Sequence, residues 1–242
     1  MEKNNFDKQI DGVIEKDPSL ISTIFFVRHG ATEYKEYTDT SGEKVEKDLL
    51  PKGEDQIKET AGILSKRIDK DFPVRIITSG RVRTKQSADI IKESLNADGI
   101  SMFPDKIPET RSFEATRLYG DPVEVFLDLN EKYGGELNDL WRDGRLPRDK
   151  IESMNDVMFR VKDSFLKVVD IIRKNNQIGH RDLSQTILVS HGEIINALMV
   201  SFDLEKFNDG ERVLRNGGVV EIQIFENRVI IKYEDENYTL DI

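Results

Sequence analysis

Histidine occurs three times in 242 residues, and two of the three close the same local phrase. Ile21 to Val27 (ISTIFFV) runs into Arg28-His29-Gly30, and Thr186 to Ser190 (TILVS) runs into His191-Gly192. Imidazole is the side chain poised near neutral pH for proton transfer or nucleophilic attack. Arg28 beside the first histidine, and Arg81 and Arg83 after Thr78-Ser79-Gly80, add guanidinium forks that match phosphate or carboxylate oxygens two at a time. A neutral imidazole nitrogen attacks phosphorus without prior deprotonation. Glycine after each histidine removes a side chain where an oxyanion would approach the backbone. His180 differs: it stands in the polar stretch NNQIGHRD with no apolar run before it, and it reads as an ordinary surface residue.

Histidines at strand ends need a sheet whose carboxyl edge gathers them, as open α/β sheets do. The β-branched and aromatic run 21–27 predicts a buried strand, with further strands over 74–78 and 187–189. Helical spacing of Ile57, Ala61, Leu64 and Ile68 follows Gly53, and a second helix is predicted over 84–95, with Ala88, Ile91 and Leu95 on one face. A longer helix over 151–173 would turn Val157, Val161, Phe165, Val168 and Ile172 inward, and another covers 193–200. Residues 218–225 and 228–233 predict a terminal hairpin around Glu226-Asn227. Strands alternating with helices give the expectation of an α/β fold, a three-layer sandwich with a mostly parallel central sheet flanked by helices. Residues 98–150 have less rhythm, with prolines and Gly134-Gly135, and short helices are expected around 126–133 and 137–141. This stretch reads as a cap inserted over one end of the sheet. Residues 1–20 read as a polar N-terminal extension, 21–242 as a single domain, and 34–48 as a charged loop.

Composition narrows the function classes. The chain carries 46 acidic and 36 basic residues, a net charge of -10. That argues against nucleic acid as a partner, since affinity for a phosphate backbone comes largely from Lys and Arg. An anionic substrate would have to be drawn by a local basic pocket. No apolar run approaches the ~20 residues of a membrane span, and the first residues lack the apolar core of a secretory signal. Cysteine is absent, which excludes disulfides and thiolate chemistry and fits a cytoplasmic protein. No spacing of His, Asp and Glu suggests a metal site, and no glycine-rich nucleotide loop occurs, so neither metal nor cofactor is expected. Ser190 lacks the Gly-x-Ser-x-Gly surround of a hydrolase elbow.

Taken in order, the motifs resemble those of the histidine phosphatase (phosphoglycerate mutase-like) superfamily over nearly the whole chain after residue 20. Phe26-Val-Arg28-His29-Gly30-Ala-Thr32 resembles its signature. Asp48-Leu-Leu-Pro-Lys-Gly53-Glu-Asp-Gln56 is similar to its "Leu-Thr-x-x-Gly-x-x-Gln" helix start, with proline replacing threonine. Ser79-Gly-Arg-Val-Arg83-Thr-Lys-Gln86-Ser-Ala88 is similar to "Ser-x-x-x-Arg-Ala-x-Gln-Thr-Ala". Glu152-Ser153 with Asp156, Val157, Arg160 and Val161 resembles the "Gly-Glu-Ser" helix. Val189-Ser-His191-Gly192 resembles the second histidine motif, and Asn216 the residue before the last strands.

The resemblance implies a phosphohistidine formed on His29, with Arg28, Arg83 and His191 holding the phosphoryl oxygens and stabilising transition-state charge. Thr32 would add a hydroxyl donor or cap a helix, and Gly192 would leave room for phosphate. Glu109, in Ile-Pro-Glu-Thr-Arg-Ser-Phe113, stands where the family carries "Leu-x-Glu-x-x-x-Gly" and is the leading candidate for the general acid. Phe113 replaces the glycine, and Glu114 and Glu193 stay open as alternatives. Such an acid needs a raised pKa, which burial favours and neighbouring cations oppose. Arg81, where the family usually has an apolar residue, is either an extra substrate contact or a surface residue.

The implied activity is a metal-independent phosphatase acting on phosphomonoesters, with a small phosphorylated substrate or a phosphoprotein as partner. No membrane partner is expected, and a homodimer is compatible with the sequence. Ala31 and Lys35 replace the asparagine and acid-rich signature of the family's mutases, and the mutase segment "Glu-Arg-His-Tyr-Gly" is missing around Glu109. Two alternatives remain open: a phosphoglycerate mutase-type phosphotransferase, and a catalytically weak module that recognises phosphate.

Overall fold

A computed structural model describes residues 17, 19–32, 48–103, 107–119, 122–179, 185–204 and 214–242. Most of the N-terminal extension, the loop 34–47 and His180 lie outside the described residues.

The first strand, β1 (Ser22–Arg28), is buried along nearly its whole length. Its β-branched and aromatic side chains alternate between two faces. Phe25 and Val27 enter a cluster with helix α1 (Pro51–Arg67) and helix α2 (Val82–Ala97), which follows strand β2 (Arg75–Thr78). Ile24 and Phe26 enter the opposite cluster. That face is covered by α5 (Met154–Gln177) and by α6 (Gly192–Val200), which follows strand β3 (Gln185–Ser190). Helix, sheet and helix thus form three layers, as expected.

Helix α1 opens on Pro51, whose fixed φ suits a first turn, and closes on Lys66 and Arg67 near the negative end of its dipole. Helix α5 begins at Met154, three residues later than the periodicity predicts. Ser153 caps it, accepting from the Asp156 amide at 3.2 Å. Val169, not Val168, joins Val157, Val161, Phe165 and Ile172 in its buried stripe.

The expectation of a mostly parallel sheet is corrected. The strand order is β2-β3-β1-β4-β5-β6, with β4 at Val219–Ile224, β5 at Arg228–Tyr233 and β6 at Glu236–Asp241. Only β1 with β3 and β3 with β2 run parallel; β1–β4, β4–β5 and β5–β6 are antiparallel. For β4–β5 and β5–β6 the reason lies in the connections. Parallel neighbours require a crossover such as a helix, whereas short turns after β4 and after β5 force the chain back on itself. The strand β6 was not anticipated.

Residues 122–142 form helix α3 (Pro122–Tyr133), a 3-10 turn (Gly134–Glu136) and helix α4 (Leu137–Arg142). Val125, Leu129, Leu146 and Ile151 make a small core of their own there, and Trp141 links it to the main one. No helix among the described residues is long and apolar enough to cross a membrane.

Candidate active site

The parallel half of the sheet aligns three strand ends. Arg28 pairs with Ser190, and Thr78 with Val189. The chain then continues in step: His29 donates its amide to the Ser190 carbonyl at 3.0 Å, and Ser79 donates to the Val189 carbonyl at 3.1 Å. His29, Ser79 and His191 therefore leave the sheet side by side, with imidazole centroids 5.3 Å apart. Both α2 and α6 begin here. Their N-caps, Arg81 and His191, make no side-chain capping bond, and the positive ends of both helix dipoles face this edge.

Arg83, in the first turn of α2, lies between the two imidazoles. Its Nε donates to His29 Nε2 at 3.2 Å and its Nη2 donates to His191 Nδ1 at 3.1 Å. Guanidinium only donates, so both nitrogens act as acceptors. His29 Nδ1 lies 2.7 Å from the Gly30 carbonyl and carries that ring's proton. His191 Nε2 lies 2.8 Å from Ser79 Oγ.

Burial pushes the His29 pKa down to about 3, and the Arg83 and Arg28 charges push the same way, against the Gly30 carbonyl. His191, fully buried, is likewise held well below the ordinary histidine value, by burial first and Arg83 next. Both rings are thus neutral near pH 7.

Arg28 donates through Nη1 to the Leu214 carbonyl, while its buried Nε has no partner among the described residues. An unsatisfied buried guanidinium N–H at a cationic edge is a natural contact for an anion's oxygen. Gly192 makes room for Arg28, since a Cβ there would lie 2.9 Å from that Nε. Gly30 and Gly53 pack backbone to backbone, where a Cβ on either would come within 2.4 Å of a carbonyl oxygen. Around the first histidine, the Ala31 amide donates to Gln56 Oε1 at 3.0 Å, and Asn216 Nδ2 donates to the His29 carbonyl at 3.2 Å. Thr32 pairs with Leu49 in an isolated bridge, and the residues that follow it lie outside the described set.

The three candidate acids fall in different places. Glu109 runs beside the end of β2, paired with Thr78, and its carboxylate lies over Gly80, where a Cβ would stand 2.9 Å from Oε2. Lys85 holds it at 2.9 Å, and just over half of its side chain is exposed. Glu114 pairs with Arg81 at 3.0 Å. Glu193 lies in the first turn of α6. The Arg81 contact is thus an ion pair at the start of α2.

Several positioning contacts were not anticipated. Phe113, where the motif has glycine, is buried edge-on against Phe26, and its carbonyl accepts from Ser190 Oγ at 2.6 Å. Arg160 grips Glu152 with two donors (2.8 and 2.7 Å) and donates to the Ser112 carbonyl at 2.8 Å. These contacts tie the Glu109 segment to β3 and α5. The sequence signals for them were a bulky apolar residue replacing glycine at 113 and the presence of Glu152 and Arg160 together in the segment resembling "Gly-Glu-Ser". Among the described residues, no group of three or more His, Asp or Glu is placed to hold a metal ion.

A family model described as histidine phosphatase superfamily (branch 1) matches residues 24–236. A curated relative, a probable phosphoglycerate mutase GpmB of Serratia proteamaculans (strain 568), is 24% identical over 73% of this chain and 72% of its own length. Among solved structures, the native mycobacterial glucosyl-3-phosphoglycerate phosphatase superposes with a TM-score of 0.56 at 19% identity, covering 83% of this chain and 89% of that one. A phosphoserine phosphatase mutant from Entamoeba histolytica, in complex with phosphoserine, also gives 0.56, at 16% identity, covering 87% of this chain and 95% of that one.

Proposed function

The chain belongs to the histidine phosphatase superfamily, and from that premise we propose that it hydrolyses phosphomonoesters, without a metal, through a phosphohistidine on His29. The observation that carries this reading is the state of His29. Its proton is committed to the Gly30 carbonyl, its Nε2 keeps a lone pair, and its pKa of about 3 keeps that pair available at neutral pH.

In the first step Nε2 attacks phosphorus, the N–P bond forms, and the P–O bond to the leaving alcohol breaks. Arg83 and Arg28 turn their donors from His29 and the pocket wall to the equatorial oxygens, where charge is concentrated. The departing oxygen takes a proton from Glu109, whose carboxyl parts from Lys85 and is covered when substrate binds. In the second step water attacks phosphorus, gives a proton to the Glu109 carboxylate, and the N–P bond breaks to release inorganic phosphate and neutral His29. Glu109 is favoured over Glu114 and Glu193 because its carboxylate lies on the turn Ser79-Gly80-Arg81, next to the residue that contacts His191. Substrate choice among small phosphorylated molecules and phosphoproteins falls to residues 98–150, which carry Glu109 and the small second core.

Incubation with a phosphomonoester and rapid quenching should trap an acid-labile phosphoenzyme that His29→Ala cannot form. Its absence at every substrate tried would leave the reading without its intermediate. EDTA should not slow phosphate release. Glu109→Gln should slow alkyl phosphates far more than p-nitrophenyl phosphate, and equal losses would remove Glu109 as the acid. The mutase reading is favoured by the name of the curated relative. It is separated by product: phosphoenzyme returning its phosphoryl group to a phosphoglycerate instead of to water would establish it.

A further inference from the structure

We propose that Thr84 is a positioning residue that fixes the tautomer of His191, so that an unprotonated Nδ1 faces Arg83. The consequence for turnover rests on the reading of His29 and His191 as a phosphoryl-transfer pair; the tautomer itself does not. Thr84 is fully buried in the first turn of α2, at the position where the motif quoted above carries alanine.

Hydrogen-bond direction fixes the network. Thr84 Oγ1 lies 2.8 Å from the Arg81 carbonyl, which can only accept, so the Thr84 hydroxyl donates there. Its oxygen is then an acceptor toward Ser79 Oγ at 3.2 Å, and the Ser79 proton goes to Thr84. Ser79 Oγ, having spent its proton, accepts from His191 Nε2 at 2.8 Å. The chain of donors thus runs one way, from His191 through Ser79 and Thr84 to the Arg81 carbonyl. Arg83, donating to His191 Nδ1 at 3.1 Å, independently requires the same tautomer. Two ends of one network agree.

Without the Thr84 oxygen, the Ser79 hydroxyl loses its acceptor and is left facing His191 Nε2. It can then donate to that nitrogen, which moves the ring proton to Nδ1. There it meets the Arg83 Nη2 donor head-on, and the arginine that also contacts His29 Nε2 at 3.2 Å is displaced. A hydroxyl buried on α2 therefore aligns the arginine shared by both histidines.

The test is two-bond proton–nitrogen NMR on the 15N-labelled full chain, with the His191 signals identified by their loss in His191→Asn. The wild type should show a protonated Nε2 and a lone-pair Nδ1. In Thr84→Val a population protonated at Nδ1 should emerge and kcat should fall on the order of tenfold, and Thr84→Ser should restore both. If the valine variant does not fold, Thr84→Ala carries the same comparison. A wild type protonated at Nδ1, or a Thr84 variant that keeps the pure Nε2–H form, overturns the proposal. A wild type inactive toward every phosphomonoester would overturn the function reading instead, and the NMR comparison would still decide the role of Thr84.

Discussion

The ends of β1 and β3 spell nearly the same phrase, yet they hold their histidines by opposite nitrogens. His29 gives its proton at Nδ1 to the next residue's carbonyl, a contact within its own turn. His191 gives its proton at Nε2 to Ser79, a contact across 112 positions of chain. The first arrangement frees the Nε2 lone pair for attack; the second aims Nδ1 at Arg83 and anchors the ring to a neighbouring strand. Two identical side chains on one sheet edge thereby take different roles, set by which backbone or hydroxyl group lies within reach. His29, the proposed nucleophile, is therefore held within its own turn, whereas His191 depends on the tertiary fold.

Removing each ring in turn separates the two roles. His29→Asn should lower phosphate release by at least ~10⁴-fold and abolish the phosphoenzyme, because the attacking atom is gone. His191→Asn should cost less, about 10²–10³-fold, and still leave a slowly formed phosphoenzyme in rapid-quench experiments. Equal losses, with both phosphoenzymes absent, would erase the division of roles.

What could be read from sequence follows the same local-versus-distant line. The strand ending at Arg28 and the helices α1 and α2 were legible because their patterns need only neighbours in the chain. Even there the start of α2 lies at Val82, not Thr84, which places Arg83 in the first turn. The strand β6 escaped because every other residue of ENYTLD is exposed and none is buried, as suits an edge strand. The terminal hairpin of β4 and β5 was legible, but the antiparallel seating of β4 against β1 was not, because it depends on how distant strands are connected rather than on their composition. At the site, both histidines and Arg83 were legible as residue types at strand ends. The His191 tautomer and the grip of Phe113 and Arg160 on the Glu109 segment were not, since each is a contact between distant parts of the chain. The His29 and Thr84 contacts are local, but the direction of a hydrogen bond is not written in residue spacing.

Arg83 is the point where the two halves meet, so Arg83→Met should disturb both. We expect a loss of about 10²–10³-fold in kcat/KM. Removing a charge that disfavours protonation of each ring should also raise both histidine pKa values, visible in an NMR titration. An upward shift confined to one ring would show that Arg83 serves one histidine only.

The paired glycines sharpen the contrast further. A Cβ at Gly30 would lie 2.4 Å from the Gly53 carbonyl oxygen, and backbone cannot swing aside. Gly30→Ala should therefore cost about 2–3 kcal/mol in urea unfolding. At Gly192 the obstacle is the Arg28 side chain, at 2.9 Å, which can move. Gly192→Ala should leave the unfolding midpoint nearly unchanged and weaken phosphate binding roughly tenfold by displacing one guanidinium.

The two buried rings also set how stability depends on pH. A buried histidine with a depressed pKa stays neutral in the folded state while its unfolded counterpart takes up a proton near 6.5. Above that pH neither state is protonated and the ring contributes no slope. As pH falls from 6.5 toward about 3, only the unfolded chain binds the proton, so stability falls throughout that window for His29. His191, shifted in the same direction, steepens the slope. Urea unfolding free energies between pH 7 and pH 4 should therefore flatten in His29→Asn relative to the wild type, by about 3 kcal/mol at the acid end. His191→Asn should flatten them similarly, because desolvation dominates both shifts and takes no account of which nitrogen is held. A variant whose acid slope matches the wild type would mean that its ring already titrates in the folded state, and that water reaches it there.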